Sequence, residues 1–539
     1  MPQQDIPVLI VGGSLVGLST ALFLRRQGIE VVLVERHPGT SIHPRTPGYN
    51  ARTMELFRAA GVEQALRAAG PWQLDSSGVL WAESLTSENH RWLQPPSMHG
   101  PQEDFSAVSP SNTLVLSQDK VEPALREHAG KLGADLRFNT ELASFTPDVD
   151  GVTAVLANRS TGARSTVRAR YLIAADGADS QIRAHLGINQ TGPGALGHKV
   201  SVIVRADLRE ALRNKRFVIC QVDNPDVSAM VRAVGDRVTL NISYHPERGK
   251  TAEQFTPKRC VELTRAVAGI PDLPVEPLDV LPFQLAASIA DRFADGRVFL
   301  VGDAAHVMPP SGAFGANTGI QDAYNLAWKL AFVLHGWADS ALLDTYEAER
   351  RPVAELSVAQ ALARSREWFH TDYRDHTAAP KLVDDLTLMF GYRYQSTAIL
   401  AETPQPTRQA AFEDPVQPTC RPGTRIPHVW VTVDGQELST VDLWAAGLVL
   451  LTGPGGAPWR HATEQLSSRD GLPLRAHQVP DSGTFSAGSW PQLGITPTGA
   501  ILIRPDGFIA WRTATMPAQP EHTLEQVLHQ VLRAGSLPA

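Results

Sequence analysis

The sequence predicts an α/β protein: a doubly wound parallel sheet, a mainly antiparallel sheet inserted into it, and a separate small α/β unit at the C-terminus. Three observations predict this. The apolar run Val8 to Val11, the helical stretch Leu15 to Gln27 and the apolar run Ile29 to Val34 follow one another in βαβ order, with strands apolar enough to be buried on both faces. From about Gly187 to Pro282 the texture changes, and Val200–Val204, Phe217–Val222 and Arg237–Tyr244 have strand composition. Beyond a proline-rich linker, Glu402 to Pro427, short apolar runs such as Leu448–Leu451 and Ile501–Ile503 alternate with Gly and Pro turns.

Taken in order, Gly28 is placed to end the first helix, as glycine accepts the left-handed conformation found there. A second helix is expected from Gln118 to Leu132, stopped by Gly133, with strands at Asp135–Phe138, Gly151–Ala157 and Arg170–Ala174. Val298 to Val301 returns as a short buried strand. A long helix is expected over Gly319 to His335, capped by Thr318, with Gln321 completing a capping box and Gly336 as its stop. Asp339 to Ala363 is a further helix. The expected domains are residues 1–186 for the first part of the doubly wound unit, 187–282 for the inserted sheet, 283–400 for the second part with its helices, and 401–539 for the C-terminal unit. A segment near 72–110 is assigned to the inserted sheet.

Composition narrows the function classes. A chain that is 43% hydrophobic and 19% charged can bury large cores. The net charge of −7 argues against nucleic acid, since phosphate binding draws on a surplus of Lys and Arg. Cys220, Cys260 and Cys420 are far apart with no C-x-x-C, too few for a disulfide framework or zinc site. The seventeen histidines show no metal-ligand spacing. No signal-like segment and no apolar stretch of about 18 residues occurs. The expectation is a cytoplasmic protein, monomer or homodimer, without metal, membrane or nucleic-acid partner.

Three motifs carry chemistry. Gly12-Gly13-Ser14-Leu15-Val16-Gly17 sits between strand and helix, where a pyrophosphate would meet free N–H groups and the helix dipole. Ser14 replaces the second glycine of the G-x-G-x-x-G pattern. Glu35 ends the second strand, where a carboxylate accepts from ribose hydroxyls and disfavours a 2′-phosphate. Ala175-Asp176-Gly177-Ala178-Asp179-Ser180 follows a predicted strand, and Gly302-Asp303-Ala304-Ala305-His306 follows another. Each of the last two alone is a common turn.

Together and in this order, they resemble the motifs of class A flavoprotein monooxygenases, the para-hydroxybenzoate hydroxylase type, over about residues 6 to 365. Pro44-Arg45-Thr46-Pro47-Gly48, Asn50-Ala51-Arg52-Thr53-Met54-Glu55 and Ser311-Gly312-Ala313-Phe314-Gly315-Ala316-Asn317-Thr318-Gly319-Ile320-Gln321-Asp322-Ala323 resemble the aromatic polyketide hydroxylases among them. Ile503-Arg504-Pro505-Asp506-Gly507-Phe508 looks like the end of their third domain. The resemblance implies a glutathione-reductase-like FAD-binding domain, a substrate-binding sheet and a thioredoxin-like C-terminal domain without redox thiols. It also implies FAD as cofactor, and NAD(P)H and O2 as co-substrates. Onto this chain it carries the turn Gly12, Ser14, Leu15, Val16 and Gly17, then Glu35 and Arg36 at the adenosine. Arg45 is carried over as the positioning cation beside flavin or substrate. Gln118 and Leu142 are further FAD contacts, Asp176 and Gly177 the central motif, and Gly302 and Asp303 the ribityl site. Pro310, Gly315, Ala316 and Asn317 line the flavin edge.

The implied cycle reduces FAD with NAD(P)H, forms a flavin hydroperoxide with oxygen and transfers its distal oxygen to an electron-rich ring. The protein would supply orientation and water exclusion. Baeyer–Villiger oxygen insertion is the alternative on the same scaffold, and a non-catalytic FAD-holding protein the alternative of another class. Trp72, Trp81, Trp92, Phe217 and Met230 could wall an aromatic pocket or belong to an ordinary core. His306 is expected to be a structural hydrogen-bonding residue.

Overall fold

The first strand shows why the sheet forms where it does. Val8, Leu9 and Ile10 are fully buried, so both faces of Gln4–Val11 must be covered and both edges paired. Val31–Glu35 pairs with it in parallel on one side, Arg164–Ala174 on the other. Val298–Leu300 extends the parallel run past Arg164–Ala174, and Asp135–Phe138 extends it past Val31–Glu35. Neighbours distant in sequence mean crossovers, the mark of a doubly wound sheet. Helix Leu15–Arg26 packs between helices Gln118–Lys131 and Phe314–Leu334. The structure, a computed structural model, describes residues 4–43, 45–70, 78–93, 104–213, 215, 217, 219–369, 381–402, 412–433, 436–479 and 493–533.

The second sheet runs in the order His306–Val307, Glu276–Ala290, Gln190–Arg205, Arg237–Tyr244, Ser228–Val234, Ile219–Asp223, Val79–Ala82 and His90–Leu93. Only Ile219–Asp223 and Val79–Ala82 pair in parallel. Strand alternation divides its two faces. Val200, Val202, Val204, Leu240 and Cys220 form a core with Leu263 and Val267 of helix Pro257–Ala268. On the other face the pairs Lys199–Ser243, Ser201–Asn241, Met230–Asn241 and Gln221–Trp81 fall side by side. That second face is turned to the first sheet: Asp279 lies 2.8 Å from His43 Nε2, and Arg237 pairs with Asp119 at 3.0 Å.

The C-terminal unit is a four-stranded sheet in the order Leu474–Gln478, Leu448–Thr452, Ala500–Ile503, Ile509–Thr513, the first pair parallel and the others antiparallel. Helices Ala457–Asp470 and Pro520–Leu532 pack against each other. It is locked to the rest through charge. Arg504 donates to Glu349 Oε1 at 2.6 Å and to Asp506 at 2.5 Å, while Lys329 reaches Glu349 at 2.7 Å. Asp506 also accepts from Trp328 Nε1 at 3.2 Å and Asn325 at 3.1 Å. Arg504, Glu349 and Lys329 are at most 1% exposed.

Two expected helix starts move. The long helix starts at Phe314, not Gly319, so Thr318 and Gln321 lie inside it and form no capping box. Instead Thr318 contacts Ser357 at 3.4 Å, and Gln321 accepts from Tyr392 at 3.3 Å. Tertiary packing overrides the weak helix propensity of Gly315 and Gly319. The helix expected from Asp339 opens as a 3-10 turn, Ser340–Asp344, and becomes α-helical only over Thr345–Phe369. Among the described residues no helix is long and apolar enough to cross a membrane, no acid, histidine and cysteine cluster could hold a metal, and no cysteine is in a disulfide.

An Arg504→Met substitution removes one partner from this buried charge network. It is expected to destabilise the chain by ~3–5 kcal/mol, because Glu349 and Asp506 lose a desolvated cation; thermal denaturation of variant and parent measures it.

Candidate active site

The three motifs meet because their glycines let backbone touch backbone. Gly12 has φ +110°, and a Cβ there would fall 2.1 Å from the Ala175 carbonyl oxygen. A Cβ on Gly17 would fall 1.9 Å from the Gly12 carbonyl, and one on Gly319 2.9 Å from the Gly302 Cα. Val16 lies between Gly302 and Gly319. The stretches around Gly12, Asp176 and Gly302 thus converge beyond the C-terminal ends of three neighbouring parallel strands, the place where open α/β sheets bind ligands. A groove of about 900 Å³ between Arg297, Glu347 and Arg351 lies elsewhere, lined by none of the motif residues.

Two helices begin at this junction without a side-chain cap. Ser14 starts Leu15–Arg26 and Ala313 starts Phe314–Leu334; neither helix has an acidic residue in its first turn. Free N–H groups and a positive dipole end therefore point out of both, although the first helix already gives its Leu15 amide to the Glu122 carboxyl. At the second, Gly312 (φ +87°) and Ala313 (φ +54°) reverse the chain. Asn317 is fixed by accepting from the Asn50 amide at 3.0 Å and donating to the Ala313 carbonyl at 2.8 Å. Gly315 is helical, and a Cβ there would meet only Met308, at 3.7 Å. The protein's own packing does not demand a glycine at that position, as a ligand lying on the first turn would. Gly177, with φ +86°, likewise has nothing within 4 Å of a Cβ. Pro310 is exposed beside the turn and Ala316 half-buried in it.

The charged groups follow the same geometry. Asp303 is accessible yet enclosed by protein, as at the floor of a cleft; this enclosure raises its carboxyl above the ordinary range, against the pull of His306 and Arg45. Arg45 is exposed on the loop after the second strand and also acts on His43. Glu35 accepts from the Gly13 amide at 2.6 Å and the His37 amide at 2.8 Å. Arg36 is exposed, with Nε 3.3 Å from His37. Asp176 accepts from the Ile182 amide at 3.2 Å, and burial raises its carboxyl too. Leu142 is half-buried and pairs with Leu156 in a hairpin beside the sheet. Gln118 donates to Ser14 at 3.0 Å.

Residues 5–361 match the FAD binding domain family, and residues 419–534 the aromatic-ring hydroxylase C-terminal family. The chain is 43% identical to tetracenomycin B2 monooxygenase-dioxygenase of Streptomyces olivaceus, over 99% of both chains. It is 42% identical to 4-methyl-5-nitrocatechol 5-monooxygenase of a Burkholderia species, over 98% of both. Among solved structures, aklavinone-11 hydroxylase with FAD and aklavinone superposes with a TM-score of 0.88 at 41% identity, covering 99% of this chain and 100% of that one. The chain belongs to the FAD-dependent aromatic-ring monooxygenases. It is a flavoprotein hydroxylase of the aromatic polyketide hydroxylase branch.

For this hydroxylase, sequence reasoning gave no role to three residues in or behind the site, although Asn50 and Asp322 lie in the segments that carry the resemblance. Glu122, fully buried, joins Ser14, Gln118 and the Ser41 amide. Asp322, also fully buried, accepts from His306 at 2.6 Å, Arg350 at 2.8 Å and the Gly302 amide at 3.2 Å. Asn50 caps helix Ala51–Ala59 while its own amide holds Asn317. Of the aromatic residues expected to line a pocket, Trp72 lies outside the described residues. Phe217 belongs to the core under the sheet, and Trp92 pairs opposite Leu80 on that same side. Trp81, under Arg91 at 4.7 Å, and Met230 share the face turned to the cleft. Parity along each strand makes the division.

Glu35→Ala and Asp303→Ala are each expected to weaken FAD binding by about 10- to 100-fold, the worth of a charge-assisted hydrogen bond, with Asp303→Ala the larger. Equilibrium titration of the flavin-free variants measures this; full flavin occupancy in both would put the cofactor elsewhere.

Proposed function

We propose that the enzyme uses NAD(P)H and O2 to hydroxylate an aromatic substrate of polyketide type, held between the second sheet and the flavin. The observation that carries this is the polar face of the second sheet, turned toward the first sheet with its two uncapped helix starts. The relatives' names, a tetracenomycin monooxygenase and an aklavinone hydroxylase, support the substrate class.

Bound FAD supplies the electron transfer and oxygen activation. The start of helix Leu15–Arg26, with Gly12, Ser14 and Gly17, would hold the pyrophosphate; Glu35, Arg36 and Leu142 belong to the adenosine side. Gly302 and Asp303 would meet the ribityl chain. The first turn of helix Phe314–Leu334, with Gly315, Ala316 and Asn317, would direct N–H groups at the flavin edge. A helix start favours negative charge by about 0.3–1 kcal/mol, and up to ~2 when partly buried, the sign that suits an anionic reduced flavin. Arg45 adds a cation on the same side of the cleft as Asp303.

On the substrate side, Lys199 is half-buried with no hydrogen-bond or ion-pair partner among the described residues, and burial lowers its ammonium below the ordinary lysine range. An ammonium so placed suits a phenolate or quinone oxygen. Ser201, Asn241 and Gln221 add hydrogen-bonding groups along the same face. We read the C-terminal unit as thioredoxin-like in chain path but not in chemistry, because burial pushes the Cys420 thiol up to about 12.

Aerobic turnover with a panel of polycyclic phenols and quinones should yield a product heavier by one oxygen, with NADH or NADPH consumed. A ring-inserted oxygen in the product would establish the Baeyer–Villiger reaction instead, and no consumption with any substrate would overturn the hydroxylase reading. Lys199→Met is expected to raise KM about 10- to 100-fold at unchanged flavin content, the loss of one charged hydrogen bond.

A further inference from the structure

Behind the phosphate-binding turn lies a carboxylate that the flavin chemistry does not use. Glu122, on helix Gln118–Lys131, is 0% exposed. Its Oε1 is 2.5 Å from Ser14 Oγ and 2.7 Å from Gln118 Nε2, and its Oε2 accepts from the Ser41 amide at 2.7 Å. The Leu15 amide also donates to it. Gln118 Nε2 reaches Ser14 Oγ as well, at 3.0 Å. Of these side chains only Ser14 is exposed, on the turn that would receive the pyrophosphate.

A count of protons shows what this arrangement controls. Gln118 has two N–H donors, one spent on Ser14 and one on Glu122. With Glu122 ionised, the only hydroxyl proton of Ser14 faces Glu122, so Ser14 offers lone pairs alone to an incoming phosphate. With Glu122 protonated on Oε1, the acid donates to Ser14 Oγ, and the Ser14 proton is released to turn outward. A phosphate also repels a buried carboxylate across a few ångströms of protein. Both effects have the same sign.

We propose that Glu122 is a proton-linked positioning residue for the FAD pyrophosphate: it is a neutral acid in the FAD complex, so binding FAD takes up one proton from solvent. This rests on the FAD site described above.

Burial already biases the group that way, raising its carboxyl above the ordinary range against the pull of Ser14, Gln118, Ser41 and Leu15. Fully buried Tyr49 feels the charge of both Glu122 and Asp119, and the elements packed on helix Gln118–Lys131 carry Arg25 and Arg26 on Leu15–Arg26, Glu63 and Arg67 on Glu63–Ala68, and Asp135 and Arg137 on Asp135–Phe138. Among the described residues none forms an ion pair with Glu122. The sign follows from linkage. A group whose pKa is higher in the complex than in the free protein favours binding at low pH, and affinity falls by up to about tenfold per pH unit between the two values. Asp303 shares the cleft and is also raised; its share of any pH dependence persists in a Glu122 variant.

The test titrates FAD into flavin-free, full-length protein from mildly acidic to mildly alkaline pH, in buffers of differing ionisation enthalpy. The parent should lose affinity as pH rises and take up one proton per FAD. E122Q, neutral at every pH although its amide nitrogen meets the Gln118 or the Ser41 donor, should bind FAD with the Glu122 share of that slope removed. Zero proton uptake by the parent overturns the proposal without reference to any variant, as does an unchanged slope in E122Q. A parent that binds no FAD at any pH removes the site reading itself.

Discussion

The site depends on a carboxylate that never reaches it. Asp322 is fully buried in helix Phe314–Leu334 and joins three partners: the Gly302 amide, His306 and Arg350. Burial alone would raise its carboxyl; His306 and Arg350 outweigh burial and hold it below the ordinary range. A buried charge is tolerable only with such partners. Here the partners are the loop that presents Asp303 and the helix behind it. Arg350 also donates to the Thr318 carbonyl at 3.2 Å and to Tyr394 at 2.9 Å. The Gly302–Asp303 loop is thereby tied to helix Phe314–Leu334, so two stretches of the cleft distant in sequence share one mechanical frame.

Rigidity of this kind suits flavin chemistry. A preorganised set of dipoles costs no reorganisation when charge shifts in the reaction. Both open helix starts belong to helices packed against each other through Val16, Gly302 and Gly319. Their relative placement is set by backbone contacts, which have fewer degrees of freedom than long side chains.

Much of this was legible in the sequence where geometry leaves one solution. Gly12, Gly17 and Gly302 could be read because close backbone approach admits almost no other residue. The strands at Asp135–Phe138 and Arg237–Tyr244 could be read from their composition, and the structure gives the same bounds. The start of the long helix could not: Gly312 to Asn317 has loop composition, and tertiary contacts such as the Asn50 amide on Asn317 accompany its last residues becoming helical. Nor could the pocket wall be read. Trp81 and Trp92 look alike in sequence, and only the register that pairs Trp92 with Leu80 sends them to opposite faces. Glu122 reads as one more solvated acid on an amphipathic helix, and its burial is a tertiary fact.

The Arg504, Asp506, Glu349 and Lys329 cluster also bears on how such enzymes can diversify. Its members come from the middle of the chain and from the C-terminal unit, and among the described residues each is neutralised by the others in a buried place. A recombinant that inherits the last third from one parent and the middle from another must receive matching halves of this ionic lock. A crossover that joins mismatched halves is expected to leave a buried charge unpaired and to destabilise the fold. The polar face of the second sheet carries no member of that cluster, and is correspondingly free to drift toward new substrates.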